Sequence, residues 1–208
     1  MAKVYDLSFE SSLYSDDDDG YYLGNKGKTP ISIVELSERP DIKLPDVLEF
    51  ETHNPTRLKK VNIATANTSI NILSQNLIDT IRSTGEVDWT LVPARFFNKT
   101  TGEEVCKGKF SGVFFEFHSD FFDYENSEYK PMDWSSWPPE KLTDRIRKQV
   151  RSAKIIVLRE PDTGFPPCFQ LLAISSRLYI SDVAYKAIIK ADLKDLRLTE
   201  SKLSLIHI

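Results

Sequence analysis

The 208-residue sequence has only two cysteines and no long hydrophobic run. Cys106 and Cys168 could form one disulfide bridge, but so few cysteines in a chain of this length are typical of a reducing compartment. We therefore expect two buried, unpaired thiols. No stretch approaches the ~20 apolar residues that span a bilayer, and residues 1–6 lack the apolar run of a signal peptide. These absences predict a cytoplasmic protein with no membrane contact.

Residues that would mark a metal or catalytic site are also scarce. The three histidines are His53, His118 and His207, and none has a second His, Cys or carboxylate at metal-ligand spacing. The sequence also lacks a P-loop and a nucleophile elbow. His118, which lies close to Asp120, could act as a general base, although a histidine satisfied by the backbone at a strand end is the favoured interpretation. We expect no metal, no cofactor and no enzymatic activity.

The charge balance weighs against nucleic acid as a partner. The formal net charge is −4, with 27 basic and 31 acidic residues, whereas phosphate contacts need a basic footprint. The densest basic stretch, residues 145–154, alternates with apolar residues. It is interpreted as the solvated face of a helix.

Composition and periodicity predict a single α+β domain over residues 1–208. Hydrophobic residues make up 40% and charged residues 28% of the chain, which is the ordinary globular range. Residues 4–9 and 87–92 have strand patterns, and Ser74 is a plausible N-cap for a helix bearing Leu77, Ile78 and Ile81. We expect a mixed, largely antiparallel sheet with a few short helices packed on it.

The second half of the chain gives three more predictions. A helix is expected to begin near Pro139, because proline is tolerated in a first helical turn, and to run through Val150. Residues 155–158 and 168–174 are predicted to be strands.

Two parts of the chain share one pattern. Leu73-Ser74 aligns with Ile180-Ser181, and the apolar helix positions that follow also align without a gap. At the far end, residues 88–91 fall on residues 195–198. This spacing predicts two similar strand–helix–strand units packed on one sheet.

Two segments combine carboxylates with aromatic side chains. Aromatic residues populate interface hot spots, and nearby carboxylates would steer a basic partner. The alternative is that the aromatic residues belong to the core and the acids are merely solvated. The candidate partner-binding residues are Asp16, Asp17, Asp18, Asp19, Tyr21, Tyr22, Asp120, Asp123, Tyr124, Glu125, Glu128, Tyr129, Trp134 and Trp137.

Five short motifs in the chain resemble those of a known family. The motifs are Ile72-Leu73-Ser74, Val92-Pro93-Ala94-Arg95, the acidic aromatic run of residues 120–129, Pro167-Cys168-Phe169, and Tyr179-Ile180-Ser181-Asp182. In this order they resemble the bacterial immunity proteins of polymorphic toxin systems, specifically immunity family eleven and its relatives. The resemblance covers residues 61–200, and residues 1–60 form a divergent N-terminal part.

The resemblance implies a single-domain cytosolic antidote that binds and blocks a cognate toxin domain, with no catalytic residues to carry over. The acidity of the chain suggests a basic toxin domain. The protein would act as a monomer or weak homodimer. The alternative function is a hydrolase that uses the acidic cluster of residues 120–128 for acid–base chemistry.

Overall fold

The computed structural model describes residues 3–9, 24–25, 44–65, 70–116, 118, 120–174 and 177–201. The acidic run Asp16, Asp17, Asp18 and Asp19, with Tyr21 and Tyr22, lies outside these residues, and so does His207.

Strands dominate the described part of the chain. The strands are β1 (Val4–Phe9), β2 (Gly24–Asn25), β3 (Leu48–Thr52), β4 (Ile63–Thr65), β5 (Asn71–Ser74), β6 (Trp89–Asn98), β7 (Glu104–Phe115), β8 (Glu128–Pro131), β9 (Val150–Ile155), β10 (Cys168–Phe169), β11 (Leu178–Ser181) and β12 (Leu196–Glu200). The helices are α1 (Pro55–Leu58), α2 (Gln75–Arg82), α3 (Asp144–Arg147) and α4 (Asp182–Lys190), with a 3₁₀ helix at Pro139–Lys141. None of the helices in these ranges is long and apolar enough to cross a membrane.

The strands form three sheets. Six strands follow the order β2-β3-β6-β7-β5-β4, four follow β10-β11-β1-β12, and β8 pairs with β9. The β3–β6 pair is parallel, whereas the other pairs between named strands are antiparallel. The predicted α+β fold with a mixed, largely antiparallel sheet and few short helices is confirmed.

Three apolar clusters hold these layers together. The first joins α2 and α4 to one face of each large sheet, with Leu77, Ile78, Ile81, Ala184 and Ile188 as the helix contribution. These positions recur at helical spacing, so one stripe of each helix is buried.

The other two clusters cover the opposite faces of the two large sheets. One packs Leu58 of α1 on the six-stranded sheet, and the other packs the chain between β7 and β11 on the four-stranded sheet. In the six-stranded sheet, Gly112 makes room for Leu48, because a Cβ atom there would lie 2.3 Å from Leu48 Cδ1.

Both predicted strand–helix–strand segments are present, but they do not share a sheet. In the first segment, β5 and β6 both pair with β7, which lies between them. In the second segment, β11 and β12 both pair with β1, which lies between them. Because these strands belong to two different sheets, the expectation of one common sheet is wrong. The equivalence of the two units stays a prediction.

The two serines cap their helices differently. Ser74 Oγ accepts a hydrogen bond from Leu77 N at 3.2 Å, as a capping serine should. Ser181 occupies the same position before α4 but makes no such bond in the structure.

The helix predicted from Pro139 to Val150 is wrong. Only a 3₁₀ turn and the four-residue α3 form there, and Val150 opens strand β9. Pairing of β9 with β8 supplies backbone hydrogen bonds that a helix would otherwise provide. The basic stretch therefore does not form one helix face: Arg151 and Lys154 are strand residues.

The strand predictions near this region also need correction. The strand expected at 155–158 is displaced to Val150–Ile155, and the one expected at 168–174 is limited to Cys168–Phe169. Cys106 and Cys168 are buried and unpaired, as predicted.

Candidate functional site

The acidic aromatic segment, residues 120–137, follows β7 in the chain and packs on the four-stranded sheet. Phe122 anchors it: the side chain is buried with Phe169 and Tyr179, and the residue forms an isolated antiparallel bridge to Leu158. The segment then enters β8, which pairs with β9. A buried aromatic residue and a strand pair therefore hold the part of the segment between Phe122 and Pro131.

Asp123 organises the turn between these anchors. Its Oδ1 accepts hydrogen bonds from Glu125 N at 3.1 Å and Asn126 N at 3.2 Å, and its Oδ2 accepts one from Asn126 Nδ2 at 2.9 Å. Arg159 Nη2 donates to Oδ1 at 3.1 Å. This is an Asx-type turn, in which a side chain replaces backbone partners. The side chain of Asp123 is only 1% exposed, so it stabilises the turn as a buried group.

The charge of Asp123 is compensated by its donors. Burial alone would raise the pKa of this carboxyl, but hydrogen bonds from Arg159 and Asn126 outweigh burial and lower the pKa below its ordinary value. The group is therefore an ionised acceptor near neutral pH, and it has no proton to donate to a substrate.

Tyr124 and Tyr129 are half-buried members of the same cluster. Their rings meet edge to face at 5.8 Å, and each contacts Phe122. Tyr124 Oη donates to the carbonyl of Lys148 at 2.6 Å. Burial, aided by Tyr129, raises the pKa of Tyr124 to about 12. These two tyrosines thus hold the segment against the residues that precede β9.

The remaining carboxylates of the segment are exposed. Asp120, Glu125 and Glu128 all lie at the surface, and Glu125 is 84% exposed. Two cations from the following strand region approach them: Arg159 lies 3.6 Å from Glu125, and Lys154 lies 3.2 Å from Glu128. The surface is therefore less acidic than residues 120–129 alone suggest.

Two tryptophans follow on a proline-flanked loop. The rings of Trp134 and Trp137 meet edge to face with centroids 5.1 Å apart, and Trp137 N donates to the Trp134 carbonyl at 2.9 Å. Trp137 is 38% exposed. The indole N–H of Trp134 is shielded from solvent and finds no acceptor among the described residues. The loop therefore presents one aromatic ring to solvent and supports it with another.

His118 lies at the start of the segment and is half-buried. Its ring stacks on Phe121 with centroids 4.3 Å apart, and its backbone bonds to Gln170 and Leu172. Burial lowers the pKa of His118, and the carboxylates of Asp88, Glu116 and Asp120 partly oppose this effect. The interpretation of His118 as a strand-end histidine stays a prediction.

The structure divides the predicted site residues into two groups. Asp123, Tyr124 and Tyr129 form the internal support of the segment, whereas the side chains that reach the surface are those of Asp120, Glu125, Glu128, Trp134 (in part) and Trp137. In the ranges described above, no group of three or more His, Cys, Asp and Glu side chains is arranged to hold a metal ion.

Sequence reasoning missed Asn126, Lys154 and Arg159. An Asx turn could have been suspected from Asp123 and Asn126, which lie three residues apart. Arg159 lies 36 residues beyond Asp123, and no local pattern links the two.

Comparison with known proteins identified no family: the chain matches no protein-family model and no curated protein.

Proposed function

We propose that this protein is an immunity protein that binds a cognate bacterial toxin domain in the cytoplasm and neutralises it by protein–protein contact. The observation that supports this most is the acidic aromatic segment, which exposes Trp137 and the carboxylates of Glu125 and Glu128. One segment thus offers both an exposed aromatic ring and exposed carboxylates. The motif resemblance of residues 61–200 points to the same function.

A rigid support favours binding at this surface. Ordering a loop on association costs free energy, so a surface that is already held in place binds more tightly. Here the Asp123 turn, the Tyr124 bond to Lys148 and the β8–β9 pair hold the segment before any partner arrives. Trp137 can then bury a large apolar area at low entropic cost.

Electrostatics contributes mainly to specificity and association rate. Exposed carboxylates attract a basic partner over roughly a Debye length, about 8 Å at physiological salt. Because Lys154 and Arg159 pair with two of them, a basic toxin side chain would have to compete for Glu125 and Glu128. Exposed pairs of this kind are worth at most about 1 kcal/mol and are readily exchanged.

The alternative, a hydrolase that uses the same acidic residues, receives less support. Acid–base hydrolysis by two carboxyl groups requires one that holds a proton and one that is ionised. Asp123 is buried, and four hydrogen bonds engage its two oxygens.

The test is protection from any toxin domain encoded beside this gene. The full chain, co-expressed with that toxin domain, should restore growth and co-elute with it as a stoichiometric complex. Glu125→Lys and Trp137→Ala should each weaken the complex, whereas Glu103→Lys should not, because Glu103 is an exposed residue of the β6–β7 turn. Failure of the wild-type chain to bind or protect would overturn the proposal.

A further inference from the structure

Two segments that contain no acidic residue meet on the six-stranded sheet. From Thr52 to Ile78 the sequence has no Asp or Glu, and none occurs from Val105 to Phe115. The first segment includes α1, whose Leu58 is buried in the same apolar cluster as Cys106 and Phe110 of β7. Packing of α1 on β7 therefore places the two segments against each other.

These two segments carry four lysines, which we together name the lysine surface: Lys59, Lys60, Lys107 and Lys109. All four are exposed. Lys59 and Lys109 come from different segments, yet both act electrostatically on the Cys106 thiol: burial raises its pKa, and the two lysines oppose that effect. Together with the packing of Leu58 against Cys106, this places Lys59 and Lys109 near the same buried group.

Some exposed lysines of the described residues pair with carboxylates, and others do not. Lys3, Lys154 and Lys186 each pair with a carboxylate. In the part of the chain that the structure describes, none of the four lysines of the lysine surface makes an ion pair. Lys107 helps to lower the pKa of Glu104, but that carboxylate is bonded to Arg95 instead.

We propose that the lysine surface is a docking site for an acidic stretch of a protein partner. Exposed like charges repel one another, and a segment of Asp and Glu residues would relieve that repulsion while it steers association. This surface lies on a different sheet from the acidic aromatic segment, so it serves a second contact with chemistry opposite to that of the first.

A protein partner fits better than a nucleic acid. The whole chain carries a net charge of −4, which disfavours a long polyanion that extends beyond the lysines. Base recognition also uses Arg forks or stacked aromatic rings, whereas this surface consists of lysines. A short acidic peptide needs only the local charges.

The experiment measures binding of a fluorescent decaglutamate peptide to the full chain by anisotropy at low and at physiological salt. The wild type should bind, and its affinity should fall as salt rises. The variant Lys59→Glu/Lys109→Glu should lose about tenfold or more in affinity, a change of about 1.4 kcal/mol or more. Circular dichroism and thermal melting should show that it remains folded.

The matched control is Lys148→Glu/Lys190→Glu, which changes the net charge equally at two exposed lysines outside the lysine surface. It should keep its affinity within about twofold. An equal loss in both variants, or no binding by the wild type at low salt, would overturn the proposal. Tighter binding of a DNA duplex than of the peptide would overturn the assignment to an acidic protein. None of these results depends on protection from a toxin.

Discussion

Asn62 binds both carboxylate oxygens of Asp195 and so ties the two large sheets together. Asn62 N donates to Oδ2 at 2.8 Å, and Asn62 Nδ2 donates to Oδ1 at 3.1 Å. Ser74 Oγ, the cap of α2, donates to Asn62 Oδ1 at 2.6 Å. The start of helix α2 is thus connected to the residue that precedes β12.

Replacement of Asp195 by alanine should destabilise the protein more than the same change at Asp192. Both residues have a left-handed backbone, with φ of 61° at Asp195 and 51° at Asp192. Alanine therefore has a similar conformational cost at both positions. Only Asp195 bonds to Asn62, whereas Asp192 pairs with the exposed Lys194. We expect an additional loss of about 1–3 kcal/mol for Asp195→Ala, measured by urea unfolding. Equal losses would show that the Asn62 bonds contribute nothing.

Asp123→Ala should be the more destabilising of two substitutions in one turn. It removes a buried acceptor from Asn126, Glu125 N and Arg159, and we expect a loss of about 2–4 kcal/mol. Glu125→Ala removes only an exposed partner of the same Arg159 and should cost less than about 1 kcal/mol. Chemical denaturation of both variants tests the difference, and similar losses would contradict the structural role of Asp123.

The contribution of Asp123 should depend on pH in the acid range. Its pKa is lowered in the folded state by Arg159 and Asn126, which outweigh burial. Its stabilisation is therefore present above the ordinary Asp value of about 4 and is lost as pH falls through the folded pKa. Burial raises the pKa of Asp6 and Asp195. Their contributions have the opposite sign: they are present below the ordinary value and are lost as pH rises through the folded pKa.

The free energy of unfolding of wild type and Asp123→Asn, measured from about pH 2 to 6, tests this linkage. The difference between the two proteins should be largest near pH 6 and should shrink as pH falls below about 4. A difference that stays constant over this range would mean that the Asp123 charge is not what stabilises the turn.

Local signals predicted the local structures well. The sequence predicts Ser74 as a cap because a serine precedes the apolar helix positions, and in the structure its hydroxyl accepts the backbone N–H three residues ahead. The strand at Val4–Phe9 follows from its own composition. The contacts that define the candidate site have no such signal. Asp123 reaches Arg159, and Asn62 reaches Asp195, which lies 133 residues away.

The misassigned helix before Val150 has the same physical origin. Apolar spacing there fits a helix, but the partner strand Glu128–Pro131 offers an alternative set of backbone hydrogen bonds. Tertiary pairing then overrides the local preference. The lysine surface likewise depends on the packing of α1 against β7, although its lack of acidic residues is visible in the sequence.

Tyr124 should ionise later than an exposed tyrosine, because burial raises its pKa to about 12. A spectrophotometric titration at 25 °C measures the rise in tyrosinate absorbance with pH. Compared with the wild type, the Tyr124→Phe variant should therefore show a smaller rise above about pH 11 and the same rise near pH 10, where exposed tyrosines ionise. The substitution also removes the bond to the Lys148 carbonyl and should cost about 0.5–1.5 kcal/mol of stability. Because this bond helps to hold the segment in place, Tyr124→Phe should weaken toxin binding, but less than Trp137→Ala does. Loss of absorbance near pH 10 instead would show that the Tyr124 hydroxyl is free in solution.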